Sequence, residues 1–434
     1  MRVYSFPQGG IQFRDPAVPQ KTASAVAFLP GLSVIPLVQH SGARAAPVVA
    51  IGDYVREGML IGRGQGPGSA NIHATVPGKV IKTVSWQMSD GRTNEGLVIR
   101  LEGSFEILGK REEFSPWENL RPREIQRLLA EYGIVEMEGP GNPLGDMFVR
   151  EDSTGESISL VVRCVFDDPW LAADYVLCRE RFRVVCEGAV ITARAAGAER
   201  IIVAVSYRER DLGRRLLEDI ETYGIPVSLV MVGDRYPQRN RRELELALRS
   251  YGKKEGLAIA ALLILGPATL AAVHDAVKLK RPILDRYVAV GGQAVRTPQV
   301  LKVRIGTRIG DLFEECGGFV EKPRRIATGS PIRGREVLDL DEPVIKTCSA
   351  VFALLDGPGG GETTRACISC GECRIVCPVG LDPEYLYKRT AETASGGGGR
   401  AAECHGCGCC DLVCPSRLPL SSVIVNSEQG GRHD

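Results

Sequence analysis

Cys367-x2-Cys370-x2-Cys373-x3-Cys377-Pro378 and Cys404-x2-Cys407-x2-Cys410-x3-Cys414-Pro415 are one pattern written twice. Three cysteines at this spacing wrap a loop around one corner of a cubane, each giving its thiolate to a different iron. The fourth, before a proline, ligates the other cluster in two-cluster proteins. The spacing therefore predicts Cys367, Cys370, Cys373 and Cys414 on one [4Fe–4S] cluster, and Cys404, Cys407, Cys410 and Cys377 on a second. The 26 residues between Cys377 and Cys404 are enough for a helix and a return loop. Zinc is the first competing reading, but zinc sites use four ligands in two pairs, not two runs of four with a trailing Cys-Pro. Disulfides are the second, and they need an oxidising compartment.

Working outward, 434 residues exceed what one hydrophobic core organises, so two to four domains are expected. Charge is balanced, with 54 basic and 53 acidic residues, which gives no sign of a nucleic-acid partner. Six of the 14 cysteines lie outside the two ligand sets: Cys164, Cys178, Cys186, Cys316, Cys348 and Cys409. Their mostly apolar surroundings suit buried free thiols. The start, Met1-Arg-Val-Tyr-Ser-Phe, has no apolar export segment. Residues Gly256 to Val273 are uncharged over 18 positions, but Gly266-Pro267 splits them. They read as a buried strand, Leu257 to Leu265, followed by a helix, so membrane association would be peripheral.

The front of the chain is rich in β-branched residues and glycine turns. Gly52-Asp53-x-Val55-x-x-Gly58 followed by Pro77-Gly78-x-Val80 resembles the lipoyl and biotinyl carrier fold. The carrier lysine at a hairpin tip is missing, so the expectation is a barrel without a swinging arm. His73 reads as a satisfied turn histidine. Residues 118–300 alternate helix and strand in the βαβ manner of an open parallel sheet, with one long helix expected from Trp170 to Ala196. Leu301 to Gly318 suggests strand, turn and helix. Ser395 to Arg400, with four glycines, reads as a flexible loop.

These pieces resemble, over nearly the whole chain, the C subunit of the Rnf electron-transport complex. The matching stretches are Ile35-Pro-Leu-Val-Gln-His40, Gly52-Asp53 with Gly58, Ile72-His-Ala with Gly78-Lys79-Val80, and Pro169-Trp-Leu-Ala-Ala-Asp174. Further on come Tyr236-Pro-Gln238, Arg281-Pro282 with Arg286, Ile305-Gly-Thr307, Gly329-Ser-Pro331, Asp341-Glu-Pro-Val344 and the two cysteine motifs. The expected architecture is multidomain α/β. An N-terminal extension (1–30) precedes a barrel-sandwich-hybrid, lipoyl-like β domain (31–115). A Rossmann-like α/β domain of the NADH/FMN type (116–295) and a β-grasp, SLBB-like unit (296–350) follow. A helical ferredoxin-type domain with two [4Fe–4S] clusters (351–434) ends it. The resemblance implies a peripheral subunit on the cytoplasmic face of the membrane, docked on integral membrane and cytoplasmic partners. It implies electron passage between NADH at FMN and ferredoxin, coupled to ion movement. Two other readings stay open: a flavin-free iron–sulfur adaptor, and a soluble cobalamin-reductase-like protein. That last family carries its barrel toward the C-terminus.

The chain departs from this family where a flavin would bind. The family's Gly-x-Gly-Gly-Ala-Gly-Phe-Pro-Thr loop corresponds to Glu136-Met-Glu138-Gly139-Pro140-Gly141-Asn-Pro143-Leu144. Gly139 and Gly141 remain as candidate cofactor residues, but two glycines have become glutamates, and Pro140 removes an N–H donor. A like-charge pair at about 4 Å costs roughly 1 kcal/mol in water and about 4 at an effective dielectric of 20. The family's Glu-Cys-Glu-Pro appears as Phe166-Asp167-Asp168-Pro169, keeping Asp168 as a candidate. Its Glu-x-Asn-Lys-Pro becomes Ser206-Tyr-Arg208-Glu209-Arg210, without the lysine. Three changes in one site speak against FMN and predict a degenerate dehydrogenase site.

Overall fold

A computed structural model describes residues 2–13, 23–87, 93–152, 157–355, 364–392 and 399–430. The glycine-rich loop expected at 395–400 lies mostly outside them.

The front domain is a β-sandwich. Strands Leu32–Pro36, Thr93–Leu101, Gly78–Gln87 and Tyr54–Val55 form an antiparallel sheet in that order, and Ala46–Pro47, Leu60–Arg63 and Ile72–His73 form a second. Ile35, Ile61, Ile72, Val76, Val80, Leu97 and Ile99 fill the space between. The Gly-Asp pair makes the expected tight turn, with Asp53 Oδ2 accepting the Ala50 N–H at 2.8 Å. Gly78 has to be glycine because a Cβ there would strike the Arg100 carbonyl of the neighbouring strand. His73 is not a turn residue: it sits buried in a strand, and burial pushes its pKa down to about 3.

The α/β domain carries a five-stranded, all-parallel sheet. Its order is Val3–Tyr4, Val227–Val232, Arg200–Ser206, Ile158–Cys164, Ala261–Leu265. Helices cover both faces. Pro122–Glu131, Phe182–Ala196 and Pro267–Lys278 contribute to the larger core, and Arg241–Glu255 packs Leu244, Ala247 and Leu248 on the other side. Two covered faces explain why Ala261–Leu265 is apolar at every position. The long helix expected from Trp170 to Ala196 is two helices, Ala172–Glu180 and Phe182–Ala196. Arg181 leaves helical geometry at φ −119° and ψ 35°, where its guanidinium turns to Asp275.

The third unit is a mixed sheet ordered Arg335–Glu336, Arg325–Thr328, Ala350–Leu354, Asp285–Gly291, Gln299–Arg304, Ser24–Val26, with helix Ile309–Glu315 packed on it. Strand, turn and helix follow in the expected order after Gln299. The sheets cross the boundaries drawn from sequence, since Asp285–Gly291 and Ala350–Leu354 both belong here. The described strands of the expected N-terminal extension (1–30) join two sheets. Val3–Tyr4 completes the parallel sheet, and Ser24–Val26 the mixed one. Hydrogen bonding of these short segments to preformed edges gives them order that their own sequence does not supply.

The C-terminal unit is helical: Glu372–Ile375, Pro383–Glu392, Cys409–Val413 and Leu420–Gly430. No helix among the described residues is long and apolar enough to cross a membrane.

Candidate functional site

The two cysteine runs fold as a structural repeat. Ser369 (φ 53°) and Gly406 (φ 62°) hold equivalent left-handed positions inside the runs, and so do Gly371 (φ 79°) and Gly408 (φ 77°). After each Cys-Pro, Gly380 (φ 69°) and Arg417 (φ 53°) repeat the correspondence. Left-handed turns at these points coil the backbone so that the thiols face inward.

Cys367, Cys370, Cys373 and Cys414 line one cavity, and Cys377, Cys404, Cys407 and Cys410 line another. Each cavity thus takes three cysteines from one run and the pre-proline cysteine of the other. All eight stand as free thiols. Among the described residues, no three His, Cys, Asp or Glu side chains stand close enough to share one metal ion. A cubane asks for something different, because its thiolates bind separate irons and stand farther apart than around one zinc. Four thiols per cavity, with backbone N–H groups on sulfur from Ser369 to Cys367 (3.4 Å) and from Leu381 to Cys377 (3.3 Å), suit such a cluster. The two cavities differ in depth: Cys370 is exposed, whereas Cys377, Cys407 and Cys410 are buried.

The second cavity also lines up with the α/β domain. A cavity of about 1170 Å³ opens at the carboxyl end of the parallel sheet, and His405 lines both it and the second cysteine cavity. Tyr236, on the rim of the large cavity, donates its hydroxyl to the Cys407 carbonyl at 2.6 Å. His405 Nε2 meets the buried Glu243 at 2.9 Å, and Arg333 bridges the Asn240 side chain (3.1 Å) and the His405 carbonyl (3.5 Å). Neither His405 nor Tyr236 was a sequence candidate, since only folding brings residues so far apart in the chain into one wall. The position of His405 inside the second cysteine run was the available signal.

The large cavity reaches the switch point of the sheet. Strand order runs outward from Ile158–Cys164 and then crosses back to Ala261–Leu265 on its other side, so the order reverses between these two paired strands. Open α/β sheets bind ligands in the crevice at such a point. Here the crevice holds Glu138. Its carboxylate pairs with Arg163 and with Arg239, the latter at 3.0 Å. It also lies over Gly266, the N-cap of helix Pro267–Lys278, where a Cβ would collide with it. A carboxylate at a helix N-terminus is favourable for the same reason a phosphate is.

The network continues inward. Arg286 reaches Asp174 at 3.5 Å and the Met137 carbonyl at 3.3 Å, and Asp167 accepts the Arg239 backbone N–H at 3.1 Å. Burial pushes the Asp167 pKa up to about 7 and draws Arg163 down to about 10. Met137 N–H donates to Thr269 at 2.9 Å, fixing the loop to the same helix.

The uncompensated negative charge expected at this loop is not what the fold presents. Glu138 does not present bare negative charge, because two arginines compensate it, and Glu136 accepts from Asn142 at 3.2 Å. The carboxylate occupies the space over Gly266 and engages Arg163 and Arg239. As folded, these residues do not fit a flavin phosphate at this point. Gly139 (φ 79°) stands exposed on the cavity, while Gly141 is packed against Gln39 and His40 and is absent from the cavity lining. Asp168 lines the cavity and is buried, and burial raises its pKa.

The C subunit of an ion-translocating oxidoreductase complex from Rhodobacter capsulatus is 32% identical over 368 residues, covering 83% of this chain and 70% of that one. The chain belongs to this family, the C subunits of the Rnf complexes. Its relatives include the C subunit of the proton-translocating ferredoxin:NAD(+) oxidoreductase complex of Clostridium ljungdahlii, at 28% identity over 83% of this chain and 79% of its own length. The Na(+)-translocating counterpart from Acetobacterium woodii is 26% identical over 82% and 80%. Family models match piece by piece: the RnfC barrel sandwich hybrid domain at residues 6–104, the Nuo51 FMN-binding domain at 129–275 and the SLBB domain at 287–336. A chain of an NAD+-reducing [NiFe]-hydrogenase shares the fold, with TM-score 0.50 and 14% identity over 73% of this chain and 61% of that one. As a member of the RnfC family, the protein is a component of an electron-transport, ion-translocating oxidoreductase complex. The Nuo51 match includes the loop bearing Glu136 and Glu138, so the domain type is retained where the crevice chemistry has changed.

Proposed function

We propose that this chain is the peripheral electron-transfer subunit of an Rnf-type complex, seated on the cytoplasmic face of the membrane. It would carry electrons between NADH and ferredoxin through two [4Fe–4S] clusters. The observation that carries the reading is the pair of cysteine tetrads, each lining one cavity and each built from both runs. Cys367, Cys370, Cys373 and Cys414 hold one cluster in this reading, and Cys404, Cys407, Cys410 and Cys377 the other. The wall shared through His405 supports entry or exit of electrons at the second cluster from the large cavity. The more exposed first tetrad then faces protein partners, which include integral membrane and other cytoplasmic subunits.

NADH releases two electrons as hydride and a cluster takes one, so a flavin supplies the split wherever both are used. With Glu138 in the crevice, we assign no flavin step to this chain. Gly139, Gly141 and Asp168 are not assigned a cofactor role. A second reading, in which FMN is held elsewhere in the large cavity, is favoured by the Nuo51 FMN-binding match and by the size of the cavity.

An anaerobic assay of iron, acid-labile sulfide and FMN on one preparation tests both. The expected result is about eight iron and about eight sulfide with little FMN, from two cubanes on eight thiolates. Cys370→Ser should remove roughly half the iron. Zinc with no sulfide would sink the cluster reading, and stoichiometric FMN would favour the second reading.

A further inference from the structure

The two most exposed large apolar side chains among the described residues lie two positions apart, Val26 at 78% and Phe28 at 82%. Leu29 and Leu32 follow them at the surface. Their exposure does not come from a loose segment. Ser24–Val26 pairs in parallel with Gln299–Arg304 at the end of the mixed sheet, and the Ala27 N–H continues the ladder to the Lys302 carbonyl at 3.0 Å. Ser24 donates its N–H and its hydroxyl to Glu180 at 2.7 and 2.8 Å, and Phe28 donates its N–H to Glu315. Leu32 opens the first strand of the front sandwich. The backbone is thus held at both ends, while Val26 and Phe28 stand out on either side of the buried Ala27. Outward positions of a half-covered strand are ordinarily polar, so two large apolar residues there mark a contact surface.

Beside them a groove of about 520 Å³ runs between this segment and helix Ile309–Glu315. Among the described residues, its charged lining is Asp311, Glu314 and Glu315 against Arg308. Arg308 is already paired with Asp311 at 2.6 Å and with Asp341 at 3.0 Å, and the last turn of the helix carries no basic residue. The carbonyl end of the helix adds to the negative potential there. We infer that this face docks another subunit of the complex, through a segment that combines apolar side chains with lysine or arginine. Its apolar groups enter the groove and cover Val26 and Phe28, and its cations meet Glu314 and Asp311. A membrane surface does not fit, because anionic headgroups would face the same carboxylates. Docking orders little of this chain, whose backbone is already fixed, and that favours affinity. The inference rests on membership of a multi-subunit complex and not on the cluster reading.

The test expresses the full chain with its membrane partner subunits and measures how much of it stays on washed membranes as salt is raised. Phe28→Asp and Glu314→Lys are compared with wild type, and melting temperature and circular dichroism check that each variant is folded. Wild type should be retained at low salt and released as salt screens the charge pairs. Phe28→Asp should lower retention about tenfold, the scale of an apolar anchor in an interface. Glu314→Lys should lower it roughly threefold and flatten the salt dependence. Retention of Phe28→Asp equal to wild type would overturn the inference. So would equal binding of wild type to protein-free vesicles of phosphatidylcholine and phosphatidylserine, which would make lipid the occupant. A wild-type dimer in analytical ultracentrifugation that Phe28→Asp abolishes would make the occupant a second copy of this chain. Wild type that never joins the partner membranes would sink the reading as a peripheral subunit, and is told apart because it shows without any variant.

Discussion

Glu138 shows how far a single residue's meaning depends on what folds around it. Read in the chain, it is a negative charge in a phosphate loop; in the fold, it is the shared partner of Arg163 and Arg239. Removing one partner of a buried ion pair leaves uncompensated charge, at a cost of about 3–5 kcal/mol. Glu138→Ala should therefore lower stability by about that amount, read from denaturant unfolding. It should also free the crevice and two guanidinium groups, so FMN affinity measured by flavin fluorescence quenching should rise. Unchanged affinity would mean that the carboxylate is not what closes the site. Asp167 gives a pH signature at the same scale. Its pKa rises from 3.8 to about 7 on folding, with burial the leading cause. The folded state then binds more protons than the unfolded one between those values, so this group makes stability fall as pH rises from about 4 through 7. Asp167→Asn keeps an acceptor for Arg239 N–H and removes the titration. Its melting temperature relative to wild type should climb between pH 6 and pH 8, and a flat difference would argue against a buried, neutral Asp167.

Helices Phe182–Ala196 and Pro267–Lys278 pack backbone against backbone in the α/β domain. Gly188 sits where a Cβ would collide with the Leu270 carbonyl. Backbone cannot yield as a side-chain tip can, so Gly188→Ala forces the helices apart. A loss of about 1–3 kcal/mol is expected from overpacking, measured by urea unfolding. The Leu270 helix also carries Thr269 and is capped by Gly266, both of which contact the Glu138 loop, so the same variant should loosen the crevice. Hydrogen exchange faster than wild type at residues 134–142 would report that. Element placement was largely readable from apolar runs and turn residues, because those signals are local. The break at Arg181 was not, because the pull on its guanidinium comes from Asp275, 94 positions away.

Across the whole molecule, Lys346 joins three units. Buried between the front sandwich and the α/β domain, it donates Nζ to the carbonyls of Asn71 (3.0 Å) and Gly133 (2.7 Å), and its own N–H to Gln39 (3.1 Å). Burial draws its pKa down to about 7. Lys346→Met keeps volume but leaves two buried carbonyls without this donor, costing about 1–3 kcal/mol. Unfolding of the variant should lose cooperativity between the front sandwich and the α/β domain, seen as separated calorimetric transitions. A single unshifted transition would show that the junction does not depend on this lysine.

The sequence by itself determined the barrel-like front domain, the parallel α/β domain and the family, and it carried the cysteine spacing on which the cluster proposal rests. Cysteine spacing, turn glycines and apolar runs act over a few residues, so they can be read without knowing what surrounds them. Only the tertiary structure decided which charge answers Glu138, why His405 and Tyr236 form a common wall, and how Val3–Tyr4 and Ser24–Val26 come to complete distant sheets. Each of these depends on contacts between residues far apart in the chain. Such contacts follow from the burial of whole faces rather than from any local pattern.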